Sequence, residues 1–480
     1  MKKKFLTNLA LLVFLNLLVK PFWFFGIEVA VQNRVGAEMY GFYFSLFSFS
    51  FILNILLDAG INNFNNRSVA RNHQLAETHL SRIIPLKFIL SLIYAAIVFI
   101  LGRIIGYSGE QFRLLWLLVL NQFLSSFILY FRTNISGLQY FTTDSLISVL
   151  DKSLMILFTG LLLWGQIVHQ PFRIEWFVYT QTLSYVITLI VTLSILISKT
   201  GRIRIVFSAR DSLDILRKSY PFALLILLMS LFNRIDSVML ERMLENGKEQ
   251  AGIYAQSFRI LDAASQFSLL FATLLLPMFS RMLKIKQEVN SLISISVSLL
   301  MVAAITLAVT GNFYREEIMA LLYHQSGSYT ARIFGLLMIG YIFIALSYIY
   351  GTLLTANGNL RTLNTLAGIT VVLNFSLNLL LIPRYEAVGA AWAGLFSQAF
   401  YAISQIFLAT KVVSLRTRAD LILKIMAFPL LLILFTWLIS TTGLIWYQAF
   451  FASLLAALIL AFSLRLIRLK EIILILHEDS

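Results

Sequence analysis

The 480-residue sequence contains no cysteine, only five histidines and few charged residues, which make up 13% of the chain. The absence of cysteine excludes disulfides, thiolate metal sites and cysteine nucleophiles, and leaves the redox compartment undetermined. The histidines are scattered and lack metal-ligand spacing on a common helix face. Walker loops, GxSxG elbows and paired-carboxylate signatures are also missing. We therefore predict no cofactor and no metal site, and ATP-driven transporters and soluble-type enzymes are disfavoured.

Long polar segments are missing as well. The longest stretches between apolar runs are 60–82, 199–218 and 312–332, each about twenty residues and far below the size of an autonomous domain. Any function must then be carried by the apolar segments themselves. A membrane-embedded glycan transferase or polymerase with dispersed catalytic groups stays an alternative, because the absence of a motif does not exclude it.

Long apolar runs dominate the sequence. Hydrophobic residues make up 59% of the chain and the mean hydropathy is +0.83, values typical of an integral membrane protein. The runs approach the roughly 20 residues that a helix needs to cross a bilayer, and they lack the alternation of outer-membrane strands. We predict an all-α polytopic membrane protein with about 14 transmembrane helices. The predicted spans are 8–31, 41–59, 83–105, 113–131, 144–166, 174–198, 219–240, 252–276, 291–311, 331–354, 362–383, 387–410, 421–440 and 443–463.

Basic residues in the loops predict the orientation of these spans. With Lys2, Lys3 and Lys4 in the cytoplasm, fourteen crossings place most of the 38 Lys and Arg on the cytoplasmic side, as the positive-inside rule requires. The largest basic cluster falls in 199–218, between the sixth and seventh spans, where an even number of crossings predicts cytoplasm. We therefore expect a multi-pass protein of the cell (inner) membrane with both termini in the cytoplasm.

The N-terminus and the net charge each have two interpretations. Three lysines and an apolar stretch imitate a secretory signal, but no small-x-small cleavage site follows and the run continues through Pro21 to Val31. The run is therefore interpreted as the first span. A net charge of +15 could suggest nucleic acid, yet the basic residues are dispersed among short cytoplasmic loops. We expect contact with anionic membrane lipids and no nucleic-acid partner.

The two halves of the chain echo one another. The motif EMYGFY (38–43) opens the second span, and EQAGIY (249–254) opens the eighth about 210 residues later. NISGLQY (134–140) and TANGNLR (355–361) recur in the same order at a similar offset. The recurrence predicts two six-helix lobes related as an internal repeat, plus two C-terminal helices. The predicted division is an N-terminal lobe at 1–198, a cytoplasmic linker at 199–218, a C-terminal lobe at 219–411, and two additional helices with a cytoplasmic tail at 412–480.

Several ordered motifs resemble a known family over nearly the whole chain. RVGAEMYGFY (34–43) and LDAGI (57–61) are similar to the opening of polysaccharide and O-antigen flippases in the multidrug/oligosaccharidyl-lipid/polysaccharide exporter superfamily. LNFSLNLLLIPRY (373–385) and VGAA (388–391) are similar to that family's asparagine-rich eleventh helix and its small-residue twelfth. The resemblance implies two lobes around a central cavity, alternating access, and movement of undecaprenyl-pyrophosphate-linked oligosaccharide from the cytoplasmic to the periplasmic leaflet, for surface polysaccharide such as the O-antigen of lipopolysaccharide.

Basic residues inside the spans suit such a substrate, because arginine binds phosphate through planar paired donors and lysine acts as a point charge. The four in-span basic residues are Lys20, Lys152, Arg234 and Arg259. We expect Lys20, Arg234 and Arg259 to hold the pyrophosphate, with Lys152 secondary. Lys20 precedes Pro21, which should kink the first helix, and could instead pair with Glu28 or another acid. Lys152 could instead be neutralised by its neighbour Asp151.

The acidic neighbours of the two arginines leave alternatives open. Arg234 and Asp236 are two positions apart, so their side chains diverge by roughly 200° on a helix and must serve different partners. Arg234 could also snorkel to the outer interface. Arg259 and Asp262 share a helix face, which suits a structural ion pair or a ligand site. Asp236 could pair with Arg259 across helices.

Further polar residues complete the predicted site. Asn374 and Asn378 are four apart and share a face, which suits sugar hydroxyls or hydrogen bonding between helices equally well. Glu28, Asp236 and Asp262 could titrate and couple transport to a proton or sodium gradient. Asp58 lies near a helix end, where a capping or loop role is expected. These candidates, like the basic ones, depend on a shared cavity.

Together these observations predict a flippase for polyprenyl-pyrophosphate-linked oligosaccharide, and not an enzyme. Its expected partners are the lipid-linked oligosaccharide, membrane lipids and polysaccharide assembly proteins, and we expect a monomer. The rival within the superfamily is a multidrug/toxin cation antiporter, which should favour an acidic cavity; the basic in-span residues disfavour it. The sugars, the prenyl carrier, the coupling ion and the resting conformation are not determined by the sequence.

Overall fold

The structure of the protein, a computed structural model, describes residues 14–16, 18–62, 65, 75–165, 170–201, 206–413, 415 and 419–467. The basic N-terminus at Lys2, Lys3 and Lys4, and part of the basic linker, including Arg202 and Arg204, lie outside the described residues. The described chain is almost wholly helical. No strand occurs in these ranges, so the predicted all-α class is confirmed.

Thirteen α-helices follow a π-helical segment at Phe22–Glu28 in the described ranges, and a short 3₁₀ turn at Asn54–Leu57 follows the first of them. The helices are α1 Val29–Ile52, α2 Leu75–Ile104, α3 Gly109–Gly137, α4 Phe141–Trp164, α5 Ile174–Thr200, α6 Ala209–Met243, α7 Gly247–Lys284, α8 Asn290–Phe313, α9 Arg315–Leu322, α10 Ser328–Ala356, α11 Leu360–Val413, α12 Ala419–Ser440 and α13 Trp446–Ser463. Only α9 is too short to cross a membrane.

Twelve helical stretches in the described part of the chain are long and apolar enough to span a bilayer. Three of them are far longer than one crossing needs: Phe14–Ile52 has 39 residues, Gly247–Lys284 has 38 and Leu360–Val413 has 54. The first and the last of these contain a residue with left-handed backbone geometry, Gly36 (φ 81°) and Glu386 (φ 50°), which interrupts the regular helix. These two stretches therefore hold two predicted spans each, whereas Gly247–Lys284 holds one. The predicted count of about fourteen is confirmed, and the protein is a multi-pass membrane protein.

Contacts divide the chain into two compact units. The first contains Met1–Arg242 and Asn246–Gly252, and the second contains Met243–Glu245 and Ile253–Ser480. Helix α6, which the sequence assigned to the C-terminal lobe, makes its contacts in the first unit. The division into lobes at 199–218 describes the internal repeat and stays a prediction.

The first unit is built on α3, which packs against α5 and α1, while α4 packs on α5. Its apolar core gathers aliphatic residues of α2 around Phe127, Tyr130 and Phe131 of α3. The N-terminus of α3 carries a capping box in which the Ser108 amide donates to Gln111 Oε1 at 2.6 Å. Gln111 Nε2 also donates to Glu241 Oε1 at 2.8 Å. One side chain thus caps α3 and attaches the end of α6 to it.

The second unit is built on α10, which packs against α8 and α11, while the pair α12 and α13 packs on α8. The half of α11 after Glu386 buries a run of small residues at Ala387, Gly389, Ala390, Ala391 and Ala393. Small side chains let helix backbones approach closely, which drives association in lipid, where apolar contacts gain little. The predicted small-residue helix is therefore a packing surface.

Candidate functional site

Lys20 lies at the start of the distorted part of the first span. Pro21, which has no amide donor, is followed by the π-helical segment Phe22–Glu28 in place of a regular α-helix. Lys20 is half-buried and lies within electrostatic range of Lys152, Asp151 and Arg132. Among the described residues, it forms no ion pair or side-chain hydrogen bond. The predicted distortion at Pro21 is present, and Lys20 does not pair with Glu28.

Lys152 of α4 lies in an aromatic setting beside Lys20. Its ammonium group is 5.1 Å from the centre of the Trp23 ring and 5.6 Å from that of Tyr185. Its only ion pair among the described residues is with Asp151, at 3.6 Å. Nearby, Arg132 forms a closer pair with Asp144, at 2.8 Å. Asp151 therefore neutralises Lys152 locally, which was the alternative to a phosphate contact, and Lys152 makes cation–π contacts in addition.

Glu28 is buried at the end of the π-helical segment, 4% exposed. Its carboxylate accepts a hydrogen bond from Trp23 Nε1 at 3.0 Å and a longer one from the Tyr40 hydroxyl at 3.4 Å. Glu28 also lies within electrostatic range of Lys152. We call Lys20, Trp23, Glu28, Lys152 and Tyr185 the first-unit cluster. It combines two cations, aromatic faces and one acid, the groups that a phosphorylated saccharide would need.

Arg234 of α6 lies against aromatic side chains of α1. Its guanidinium carbon is 5.2 Å from the ring centre of Phe51 and 6.0 Å from that of Phe47. Tyr43, Phe47 and Phe51 are spaced four residues apart and contact one another in succession along α1, and Phe177 connects Tyr43 to Trp23. An aromatic row therefore runs from the first-unit cluster to Arg234.

Asp236, two residues after Arg234 on α6, is 2% exposed. Its predicted divergence from Arg234 stays a prediction. A pairing of Asp236 with Arg259 would join residues of different units and stays a prediction. The division of the two charges between separate neighbours follows from their spacing of two residues.

Two glycines that are equivalent in the internal repeat meet in the first unit. A methyl group added to Gly41 of α1 would overlap the carbonyl oxygen of Lys248, and one added to Gly252 would overlap the carbonyl oxygen of Ala37. Gln32 Nε2 donates to the Gly252 carbonyl at 2.9 Å. The repeat motif thus marks a crossing of α1 and the start of α7 that only glycine permits. We call it the glycine crossing.

The remaining predicted site residues lie in the second unit. Arg259 and Asp262 form an ion pair, with Nη1 3.7 Å from Oδ2. Asn374 and Asn378 are fully buried, and Asn378 Nδ2 donates to Asn374 Oδ1 at 3.1 Å. Both pairs therefore have a structural use in this unit. Their convergence with the first-unit cluster on one cavity stays a prediction, as does sugar binding by the asparagines.

One buried cation was missed by the sequence reasoning. Lys87 of α2 is 0% exposed, and its ammonium group donates to the Leu57 carbonyl and to Ser126 Oγ, each at 2.9 Å. It also lies 3.5 Å from Asp58, for which only a capping or loop role was expected. Asp58 does accept a bond from the Asn62 amide at 3.2 Å. Lys87 lies only four residues from the start of the predicted span 83–105. The sequence therefore places it at the membrane boundary, where a lysine is normally exposed, and gives no signal that it is buried.

The sequence matches the model of a protein family over more than half of the chain. The family is described as "Polysaccharide biosynthesis protein", and the match covers residues 5–283. The chain belongs to this family. A search of curated proteins finds no match. The matched region includes the whole first-unit cluster, Arg234, Arg259 and the glycine crossing.

Solved structures similar to this member of the polysaccharide biosynthesis family are membrane transporters. The lipid II flippase MurJ, in an inward closed conformation, has a TM-score of 0.74 and 14% identity, covering 95% of this chain and 98% of its own. An inward-facing multidrug resistance MATE family transporter of the MOP superfamily has a TM-score of 0.63 and 18% identity, covering 84% of this chain and 98% of its own. A MOP superfamily transporter from Pyrococcus furiosus has a TM-score of 0.54 and 17% identity, covering 85% and 93%. At these identities the likeness concerns the fold alone, and it agrees with the predicted all-α polytopic architecture.

Proposed function

We propose that this protein is a flippase that moves polyprenyl-pyrophosphate-linked oligosaccharide from the cytoplasmic to the outer leaflet of the cell membrane by alternating access. Its membership of a polysaccharide biosynthesis family and its MurJ-like fold support a lipid-linked glycan as the substrate. The observation that carries the proposal is the first-unit cluster, in which Lys152 lies against the rings of Trp23 and Tyr185 and Lys20 lies within electrostatic range of Lys152. The protein acts as a transporter and not as an enzyme.

The cluster suits a pyrophosphate attached to a sugar. Lys20 and Lys152 lie close enough to repel one another, and an anion between them would relieve that repulsion. Asp151 offsets one of the two charges through its 3.6 Å pair with Lys152, which leaves Lys20 as the main anion contact. Trp23 and Tyr185 add ring faces against which a sugar ring can pack. Arg234, at the end of the aromatic row, supplies a further guanidinium.

The glycine crossing suits the conformational part of the cycle. Alternating access needs a contact that closes one end of the pathway and can separate, and close backbone approach without interlocking side chains permits both. Gly41 and Gly252 lie at the ends of the predicted spans that face the outside. Closure at this crossing would leave access from the cytoplasmic side.

Buried carboxylates suit an ion-coupled cycle. Glu28 accepts hydrogen bonds from Trp23 and Tyr40 in the same cluster that would bind the anion, so its charge state would influence anion binding. Asp236 and Asp262 are further candidates. Translocation that continues at an unchanged rate after both the proton and sodium gradients are collapsed would eliminate this coupling.

The test is translocation of a lipid-linked oligosaccharide by the purified protein in liposomes. Lys20→Gln, Lys152→Gln and Arg234→Gln should each lower the rate by about tenfold or more, because a charge-assisted contact to phosphate contributes roughly 1.5–3 kcal/mol. Lys152→Arg should retain most of the rate. Lys424→Gln is the matched control, since Lys424 is partly exposed and pairs with the exposed Asp420 on α12.

Three results would count against the proposal. Normal rates in all three variants at normal expression would remove the cationic site. Export of lipophilic cations by a protein that does not move the glycan would favour the multidrug antiporter. Glycan polymerisation or transfer from a lipid-linked donor by the purified protein would favour an enzyme.

The proposed function also includes a monomeric state and association with polysaccharide assembly proteins.

A further inference from the structure

A pocket in the second unit is separate from every predicted site residue. It has a volume of about 700 Å³ and lies where α11 is interrupted at Glu386, beside the start of α10. Its walls include Arg332, Arg384, Trp392 and Phe396. The pocket therefore combines cationic and apolar surfaces in one concavity.

The polar end of the pocket carries an excess of positive charge. Arg332 and Arg384 are both exposed, and among the described residues neither guanidinium takes part in an ion pair or a side-chain hydrogen bond. Arg332 lies just after the first turn of α10, where the helix end is itself positive. Glu386 is the one acid of the lining, and its Oε2 accepts a bond from the Tyr329 hydroxyl at 3.4 Å. An anion with several oxygens could accept hydrogen bonds from both guanidinium groups at this end of the pocket.

The wall of the pocket is held in an uncommon conformation. Glu386 has a φ of 50°, in the left-handed region, which is strained for a residue with a Cβ. The Tyr329 hydroxyl also accepts a hydrogen bond from the Ala387 amide at 3.2 Å, which fixes the chain on both sides of the break. The strained residue and the Tyr329 hydrogen bonds that hold it therefore lie between the two arginines and the apolar wall.

The apolar end continues along α11. Trp392 and Phe396 lie one turn apart with ring centres separated by 5.4 Å, and Phe396 is 51% exposed. From Glu386 to Phe396 the helix rises about 15 Å, the depth of one leaflet of a bilayer. A ligand that fills both ends needs an anionic head and a long apolar chain.

We infer that this pocket binds a lipid through its phosphate, with the phosphate against Arg332 and Arg384 and a hydrocarbon chain along Trp392 and Phe396. Guanidinium groups bind phosphate oxygens in pairs. The predicted topology places the break in α11 on the outer side, where Lys and Arg are scarce, so two arginines in one pocket need a specific use. Binding here requires no transport activity and stands apart from the proposed function.

The experiment measures lipid binding to the intact, purified chain by native mass spectrometry. Phosphatidylglycerol and polyprenyl pyrophosphate are the two lipid probes. Two control ligands are used: diacylglycerol, which lacks the phosphate, and inorganic phosphate, which lacks the hydrocarbon chain. The double variant Arg332→Gln/Arg384→Gln should lower the affinity for both phosphate-bearing lipids by about tenfold or more. Trp392→Ala should lower lipid affinity without creating affinity for free phosphate.

Arg361→Gln is the matched control, because Arg361 is an exposed arginine at the start of α11, far along the chain from the break at Glu386. Tighter binding of polyprenyl pyrophosphate than of phosphatidylglycerol would support the site as one for the transported lipid, and the reverse order would support it as one for membrane phospholipid. Equal lipid binding by the wild type and the double variant would overturn the inference. Binding of diacylglycerol as tight as that of the phosphate-bearing lipids would overturn it as well, and so would saturation of the site by inorganic phosphate alone.

Discussion

At the scale of single residues, two lysines show how burial separates structural from functional charge. Lys87 is fully buried and has two oxygen acceptors at 2.9 Å and a carboxylate at 3.5 Å, so its charge is already satisfied. Lys20 is half-buried and, among the described residues, has no ion pair. A buried charge must be paired by the protein itself, whereas a partly exposed charge is solvated and stays available to bind a ligand. Lys20 is therefore the stronger candidate for anion binding.

The Lys87 and Asp58 pair leads to a prediction about stability. Lys87→Met should lower the free energy of unfolding by about 3–5 kcal/mol, because it leaves the carboxylate of Asp58 and the Leu57 carbonyl without their buried partner. The double variant Lys87→Met/Asp58→Asn should recover a large part of that loss. Thermal unfolding in detergent measures both.

Lys424→Met is the control for this comparison, since its ion pair with Asp420 is exposed and should contribute less than about 1 kcal/mol. Equal destabilisation by the single and double variants would mean that the loss comes from packing and not from the unpaired charge.

At the scale of helices, glycines and a proline decide where long apolar runs are interrupted or meet. Pro21 is followed by a π-helical segment, which turns the first span away from regular geometry and places Glu28 against Trp23. Gly36 allows the turn between the first two predicted spans. Gly41 has a different use: it permits the close approach of α1 to the start of α7. The same residue type therefore serves a turn at one position and a contact five residues later.

The glycine crossing leads to a prediction about conformation. Gly41→Ala should keep the start of α7 away from α1, because its methyl group would overlap the Lys248 carbonyl. We expect faster backbone hydrogen exchange at 247–252 and a translocation rate lowered several-fold. Overpacking of this kind typically costs about 1–3 kcal/mol.

Gly368→Ala is the matched control, since a methyl group there meets no atom within 4 Å and Gly368 lies inside α11. The control should fold at least as well as the wild type, because alanine favours a helix over glycine. Unchanged exchange at 247–252 in Gly41→Ala would show that the crossing is not closed in the protein in solution.

At the scale of the whole molecule, orientation in the membrane is the main prediction. The absence of cysteine makes the natural chain a background for single-cysteine labelling. Gln325→Cys, exposed between α9 and α10, should react with a membrane-impermeant maleimide in right-side-out vesicles. Ala209→Cys, exposed at the start of α6, should react only after the vesicles are opened. The reverse pattern would invert the predicted topology.

The fold could be predicted from the sequence to a large extent, because bilayer crossing is a property of continuous runs. Within the described residues, all fourteen runs reappear in helices over at least part of their length, and the breaks at Gly36 and Glu386 fall between predicted spans. The candidate site could be predicted only in part. Lys20, Glu28 and Lys152 come together in the first unit, but Arg259, Asp262, Asn374 and Asn378 lie in the second, where they bond to one another in pairs.

The sequence by itself determined the class of the protein and its helical spans, and it predicts the divergence of Arg234 from Asp236. These follow from hydrophobicity over about twenty residues and from the helical repeat, both of which are local. Only the tertiary structure decided which charges are satisfied. The pairing of Lys87 with Asp58, the rings around Lys152 and the pocket at Arg332 and Arg384 join residues that are distant along the chain or on different helices. Such contacts depend on how helix faces pack, which no single run of residues contains.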